Sequence, residues 1–154
     1  FSKIKTIYAL PRKKQTMKAQ CQCGCVTLEV SHNHQVHACH CGKCRQRTGG
    51  ASFVVTAESQ PHISGSEHIG SYRSSDWAER TFCKQCGTQL YFHLLPESGM
   101  DEAWYVNAGL FADNADFALT LQMFTDCQAP YYHLADDTPK LTEQQFLEMV
   151  GAAQ

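Results

Sequence analysis

Along residues 26–30, Val26, Leu28 and Val30 alternate with Thr27 and Glu29. That two-residue period is the mark of a strand with one buried face. Val36–Cys39 and Ser52–Ala57 read as two further strands, and the Gly49-Gly50 pair ahead of the second supplies a turn. His62–Glu67 reads as a strand end and turn leading into a short strand over His68–Arg73. Ala78–Phe82, Gln89–Leu94, Ala103–Ala108 and Thr120–Thr125 complete the set. Short strands at close spacing, broken by Gly, Ser, Asn and Asp, predict a mainly β, sandwich-like or related multi-sheet fold. A short helix is predicted at the C-terminal end. There Thr142 serves as N-cap with Gln145 three residues on, and Phe146, Leu147 and Val150 form an apolar face. No internal repeat or linker interrupts the chain after residue 20, which predicts a single domain.

A length of 154 residues, 43% hydrophobic and 18% charged, fits one soluble domain with a real core. No apolar run is long enough to span a bilayer, and the Ile7–Leu10 piece is too short for a signal-peptide core. The expected location is therefore cytoplasmic, with no membrane partner. Charge is unevenly spread. Residues 1–18 hold Lys3, Lys5, Arg12, Lys13, Lys14 and Lys18 and no acid, whereas the remainder carries seven basic against fifteen acidic side chains. A body of that balance is a poor match for a phosphate backbone, so nucleic acid is not an expected partner. Residues 1–16 read as a basic extension, or a start-site artefact, ahead of a domain over residues 17–154 that begins near Met17.

Cysteine changes the picture most. Nine of them in a chain without a secretory signal point to metal or redox chemistry rather than a disulfide framework. Eight fall in three clusters: Cys21-Gln22-Cys23-Gly24-Cys25, Cys39-His40-Cys41-Gly42-Lys43-Cys44 and Cys83-Lys84-Gln85-Cys86-Gly87. In the third, Cys-x-x-Cys-Gly predicts a tight knuckle aiming both thiolates at one ion, with Gly87 free to take the positive φ such a turn needs. A structural zinc wants four ligands, and Cys21 and Cys23 are the candidates to complete the set, stapling distant strands together. The middle cluster offers three thiolates, Cys39, Cys41 and Cys44, within six residues. Three protein ligands with an exchangeable fourth position is the pattern of catalytic zinc. Lys43, Arg45 and Arg47 around it either offset thiolate charge and hold an anionic substrate, or are solvated surface charges. A redox role for Cys83 and Cys86 is disfavoured, because such pairs head a helix in a βαβ unit and here a β-rich Cys-Gly-Thr follows. Cys127 reads as a small apolar filler, and Cys25 as a packing residue or a substitute ligand. His40 and His37 are candidate fourth ligands, or else support the ligands from behind or lie on the surface. Phe111, Phe117, Phe124 and Tyr131 line a pocket or simply fill the core.

These motifs resemble the glutathione-dependent formaldehyde-activating enzyme family, grouped with the centromere protein V proteins. The resemblance is carried by Cys21 to Val30, by Cys39 to Arg45 and by Phe82 to Thr88. Gly49-Gly50-Ala51, Ser71 to Ser75 and Ala129 to Pro139 extend it over about residues 19–141. It implies a zinc-bearing β-tent fold with a structural site of Cys21, Cys23, Cys83 and Cys86 and a catalytic site of Cys39, Cys41 and Cys44. It also implies two zinc ions and a carbon–sulfur lyase that adds the thiol of glutathione to formaldehyde or a related small aldehyde. Arg45, Arg47 and Arg73 are the candidates to bind the glutathione carboxylates. The competing expectation is a non-catalytic zinc module that recognises a protein partner.

Overall fold

In the computed structural model, which describes residues 14–151, the predicted alternation becomes strands at nearly every expected place. Residues 1–13 of the basic leader lie outside the described residues. The described chain divides into two compact units, one from residues 14–34 and 54–117, the other from residues 35–53 and 118–151. It is mainly β, with more than one sheet and a short C-terminal helix, as expected.

In the first unit, β1 (Gln15–Gln20), β2 (Thr27–His32) and β5 (His62–Ser64) form a three-stranded antiparallel sheet in the order β1-β2-β5. The buried face of β2 carries Leu28, Val30 and His32, so the apolar alternation runs on into a histidine. β1 begins inside the stretch read as an extension, and its register pairs Gln15 with His32. Nothing in Gln-Thr-Met-Lys-Ala-Gln alternates strongly, and only Ala19 is buried, which is why its periodicity is weak. A second antiparallel array joins Val54–Thr56 of β4 (Ser52–Thr56) to β9 (Ala103–Asn107), then β8 (Gln89–Leu94), β7 (Ala78–Cys83) and β6 (Ile69–Ser75). Val55, Ala78, Cys83, Leu90 and Val106 are its fully buried positions.

In the second unit, β10 (Ala118–Met123) runs parallel to β3 (Gln35–Cys39) on one side and to the short β11 (Lys140–Leu141) on the other. Parallel neighbours require crossover connections rather than tight hairpins. Those connections carry α1 (Gly42–Thr48) and the loop after β10. α1 is an addition to the sequence reading, which predicted a helix only at the C-terminal end. Its Lys, Arg and Gln are adequate helix formers, but Cys44 is its one buried residue, so no apolar stripe announces it. The predicted C-terminal helix is α2 (Glu143–Met149). Its capping box forms as read: the Gln145 N–H donates to the Thr142 hydroxyl at 3.2 Å, and the Thr142 N–H to Gln145 Oε1 at 2.9 Å. Phe146 packs against Phe124, ring centroids 5.4 Å apart, while Val150 beyond the helix is exposed.

Candidate metal centres

The first centre is built from two turns of the first unit. Cys21 to Val26 closes a turn in which the Gly24 N–H donates to the Cys21 carbonyl at 3.0 Å and the Val26 N–H to Cys21 Sγ at 3.3 Å. The Cys83–Gly87 knuckle ends β7 with the Gly87 N–H on the Cys83 carbonyl at 2.8 Å. Gly87 has φ of 74°, the positive value that the motif predicts. The Sγ atoms of Cys21, Cys23, Cys83 and Cys86 all lie within 4.8 Å of one another. Two of the separations are 3.6 Å (Cys21 to Cys23) and 3.7 Å (Cys23 to Cys83). Tetrahedral zinc with bonds of about 2.3 Å asks for sulfurs about 3.8 Å apart, so this donor set fits the ion.

Thr88 joins the two turns, a role the sequence reading missed. Its hydroxyl accepts from the Gln22 N–H at 3.2 Å and lies 3.0 Å from Cys86 Sγ, to which it donates when that sulfur is a thiolate. That bond, with the Thr88 N–H, pulls the Cys86 thiol down to about 5. Cys83 moves the other way, to about 11: the Cys86 N–H lowers it, but burial and the Cys86 and Cys23 sulfurs outweigh that. Crowded thiolates repel one another, so the set needs a cation to ionise together.

The second centre is local to the second unit. Cys39 ends β3, Cys41 is the N-cap of α1 with its Sγ accepting from the Cys44 N–H at 3.4 Å, and Cys44 is buried in the first turn. A helical turn thus brings residues three apart onto one point. Their three sulfurs again lie within 4.8 Å of one another. The neighbouring Cys41 and Cys44 sulfurs, and then burial, push the Cys39 thiol up. Among the described residues no histidine or carboxylate is grouped with these three.

His40 is buried, with both ring nitrogens committed: Nδ1 lies 2.5 Å from the Tyr132 hydroxyl and Nε2 lies 2.8 Å from Gln122 Oε1. It is therefore held away from a ligand role. His37, on β3, is pushed down to about 4 by burial and is not grouped with the sulfurs either.

Arg45 and Arg47 both lie on α1 beside Cys44, and Arg45 Nη1 donates to the Cys127 carbonyl at 3.1 Å. Arg73 lies on β6 of the other unit, its Nη2 on the Asp76 carbonyl at 2.5 Å. Cys25 stands outside both sulfur groups. Cys127 is half-buried beside Asp126 and Glu143 rather than in an apolar setting, its thiol raised by burial and then by those two carboxylates. Phe111 and Phe117 pack with His32 in the core of the first unit, and Phe124 packs on α2. Tyr131 is exposed, its hydroxyl on the Gly49 carbonyl at the end of α1. No helix among the described residues is long and apolar enough to cross a membrane.

Residues 16–127 match the family described as glutathione-dependent formaldehyde-activating enzyme. An uncharacterized lyase of Schizosaccharomyces pombe is 28% identical over 134 residues, which cover 86% of this chain and 96% of the relative. The crystal structure of a Rhodobacter sphaeroides protein shares the fold, with a TM-score of 0.54 and 22% identity over 80% of this chain and 99% of that one.

Proposed function

Because the chain belongs to the glutathione-dependent formaldehyde-activating enzyme family, we propose that it is a zinc-dependent lyase of carbon–sulfur chemistry. It adds a thiol such as glutathione to formaldehyde or a related small aldehyde at the Cys39, Cys41 and Cys44 site. The observation that carries this reading is the gathering of three thiols at one point while His40, between two of them in sequence, has both nitrogens engaged elsewhere. Cys21, Cys23, Cys83 and Cys86 form the closed set that holds a structural zinc. At the three-cysteine site, bound zinc supplies a cation that favours the thiolate form of an incoming thiol.

In the addition, the S–H bond breaks and an S–C bond forms. The carbonyl π pair moves to oxygen, and the proton that left sulfur ends on that oxygen. Arg45 and Arg47, both on α1, are the cations of this unit that would meet the carboxylates of an anionic thiol. Arg45 is already steadied by the Cys127 carbonyl, so it loses less freedom when it binds.

Cobalt-substituted protein titrated with glutathione tests the reading. A shift of the thiolate charge-transfer band, abolished by Cys41→Ser, is expected. A band that stays put through saturating glutathione would favour a binding module without chemistry.

A further inference from the structure

Behind the three-cysteine site runs a chain of polar side chains that metal binding leaves unexplained. It starts at Asp136, whose Oδ1 accepts from the Thr138 N–H at 2.8 Å and from the Thr138 hydroxyl. Oδ2 accepts from Gln122 Nε2 at 2.7 Å. Burial raises the Asp136 carboxyl, but the Thr138 and Gln122 donors and Lys140 hold it below its ordinary range, so it is ionised and accepts only. Gln122, buried on β10, must turn its NH₂ to that carboxylate, which leaves Oε1 facing His40 Nε2 at 2.8 Å. An amide oxygen cannot donate, so Nε2 carries a proton, and on a singly protonated imidazole Nδ1 is then the acceptor. The Tyr132 hydroxyl, 2.5 Å from Nδ1, therefore gives its only proton to His40.

What remains on the Tyr132 oxygen is lone pairs. The phenol interacts electrostatically with Cys39 and Arg45, and its ring stacks on His40 with centroids 5.6 Å apart and planes at 24°. His40 itself stands between Cys39 and Cys41.

We propose that Asp136, Gln122 and His40 are positioning residues that make Tyr132 an obligate hydrogen-bond acceptor at the three-cysteine site, where it binds the hydroxyl of a hydroxymethyl thiol adduct. The proposal rests on the thiol and aldehyde reading above. A free aldehyde oxygen only accepts, and an S-alkyl group has no proton to donate. The O–H of the adduct is the donor that such an oxygen selects, because a site built around one hydrogen bond discriminates against a ligand lacking it.

Asp136→Asn reverses the chain without removing a link. Thr138 keeps the Asn oxygen, so the Asn NH₂ faces Gln122. Gln122 then turns its own NH₂ to His40 Nε2, the ring proton moves to Nδ1, and the Tyr132 oxygen becomes the acceptor from His40, with its proton free. The experiment uses full-length, zinc-loaded protein. Calorimetric affinities are compared for S-hydroxymethylglutathione and S-methylglutathione in wild type, Tyr132→Phe and Asp136→Asn, and ¹⁵N NMR reads the His40 tautomer.

Wild type is expected to prefer the hydroxymethyl adduct about tenfold and to show His40 protonated on Nε2. Tyr132→Phe should lose the preference, and Asp136→Asn should lose it together with a switch of the tautomer to Nδ1. A preference unchanged in Tyr132→Phe, or a wild-type His40 protonated on Nδ1, overturns the proposal, and the wild-type tautomer decides even where a variant fails to fold. Should neither ligand bind wild type while His40 carries its proton on Nε2, the thiol and aldehyde reading is what has failed, and the ligand assigned to Tyr132 falls with it.

Discussion

His32 occupies what the β2 alternation marks as an apolar position, fully buried with ring centroids of His34, Phe111 and Phe117 at 4.9, 5.0 and 5.1 Å. Its Nδ1 accepts from the His34 N–H at 3.0 Å, and its buried Nε2 has no hydrogen-bond partner among the described residues. Burial, then the His34 ring, lower its pKa to about 4, against a small opposing pull from Glu58. A histidine held below its unfolded value of 6.5 stabilises the fold fully above pH 6.5, and that contribution is lost as pH falls toward 4, where only the unfolded chain takes up the proton. Between pH 7 and 5 the loss should be about 2 kcal/mol. Urea midpoints at the two pH values, compared with His32→Asn, which keeps an acceptor for the His34 N–H, measure it. An equal drop in the variant would show that other groups set the acid sensitivity. Thr88 teaches a related lesson at this scale. The Cys-Gly-Thr string is visible in the sequence, but that its hydroxyl bridges two turns depends on Gln22 arriving from a different strand connection.

Element by element, β2 was legible because one face is buried and the other is not, so polarity alternates, whereas β1, with only Ala19 buried, leaves no such pattern. α1 was not legible either, because a seven-residue helix holding a metal ligand needs no apolar stripe. Turns sit between these cases. The His62–Glu67 segment was read as a strand end and turn, and the structure places β5 and then Gly65, with φ of 82°, within it. A Cβ added at Gly65 would lie 1.9 Å from the Cys25 carbonyl oxygen, which is backbone and cannot step aside. Gly65→Ala should therefore cost at least about 2 kcal/mol, through both the left-handed φ and the clash. Because the displaced carbonyl belongs to the Cys21–Val26 turn, zinc affinity of the four-cysteine site should fall with it. Chemical denaturation with a parallel zinc titration would check both, and a normal affinity in a destabilised variant would break the link between them.

At the scale of the whole molecule, the two proposed zinc sites should differ in what their loss does. Cys23 and Cys83, 60 positions apart, meet at one point, so the ion there closes a long stretch of chain and its binding energy is folding energy. Cys39, Cys41 and Cys44 are neighbours held by a strand end and one helical turn, and an ion there closes almost nothing. Cys83→Ser should accordingly unfold the first unit, seen as loss of its β circular dichroism, whereas Cys41→Ser should stay folded with about one zinc fewer per chain. Equal damage from both would refute the division into structural and catalytic sites. The claim that cysteine clusters define this protein was available from the sequence alone, because ligand spacing, turn glycines and strand alternation are all local patterns. The sequence also assigned the family through those same motifs. Only the tertiary structure decided which sulfurs share a point, that His40 has no nitrogen to spare, and that Asp136, Gln122 and Tyr132 line up behind it. Those facts depend on β3 and β10 pairing in parallel, and contacts between residues more than eighty positions apart leave no periodic trace in the chain.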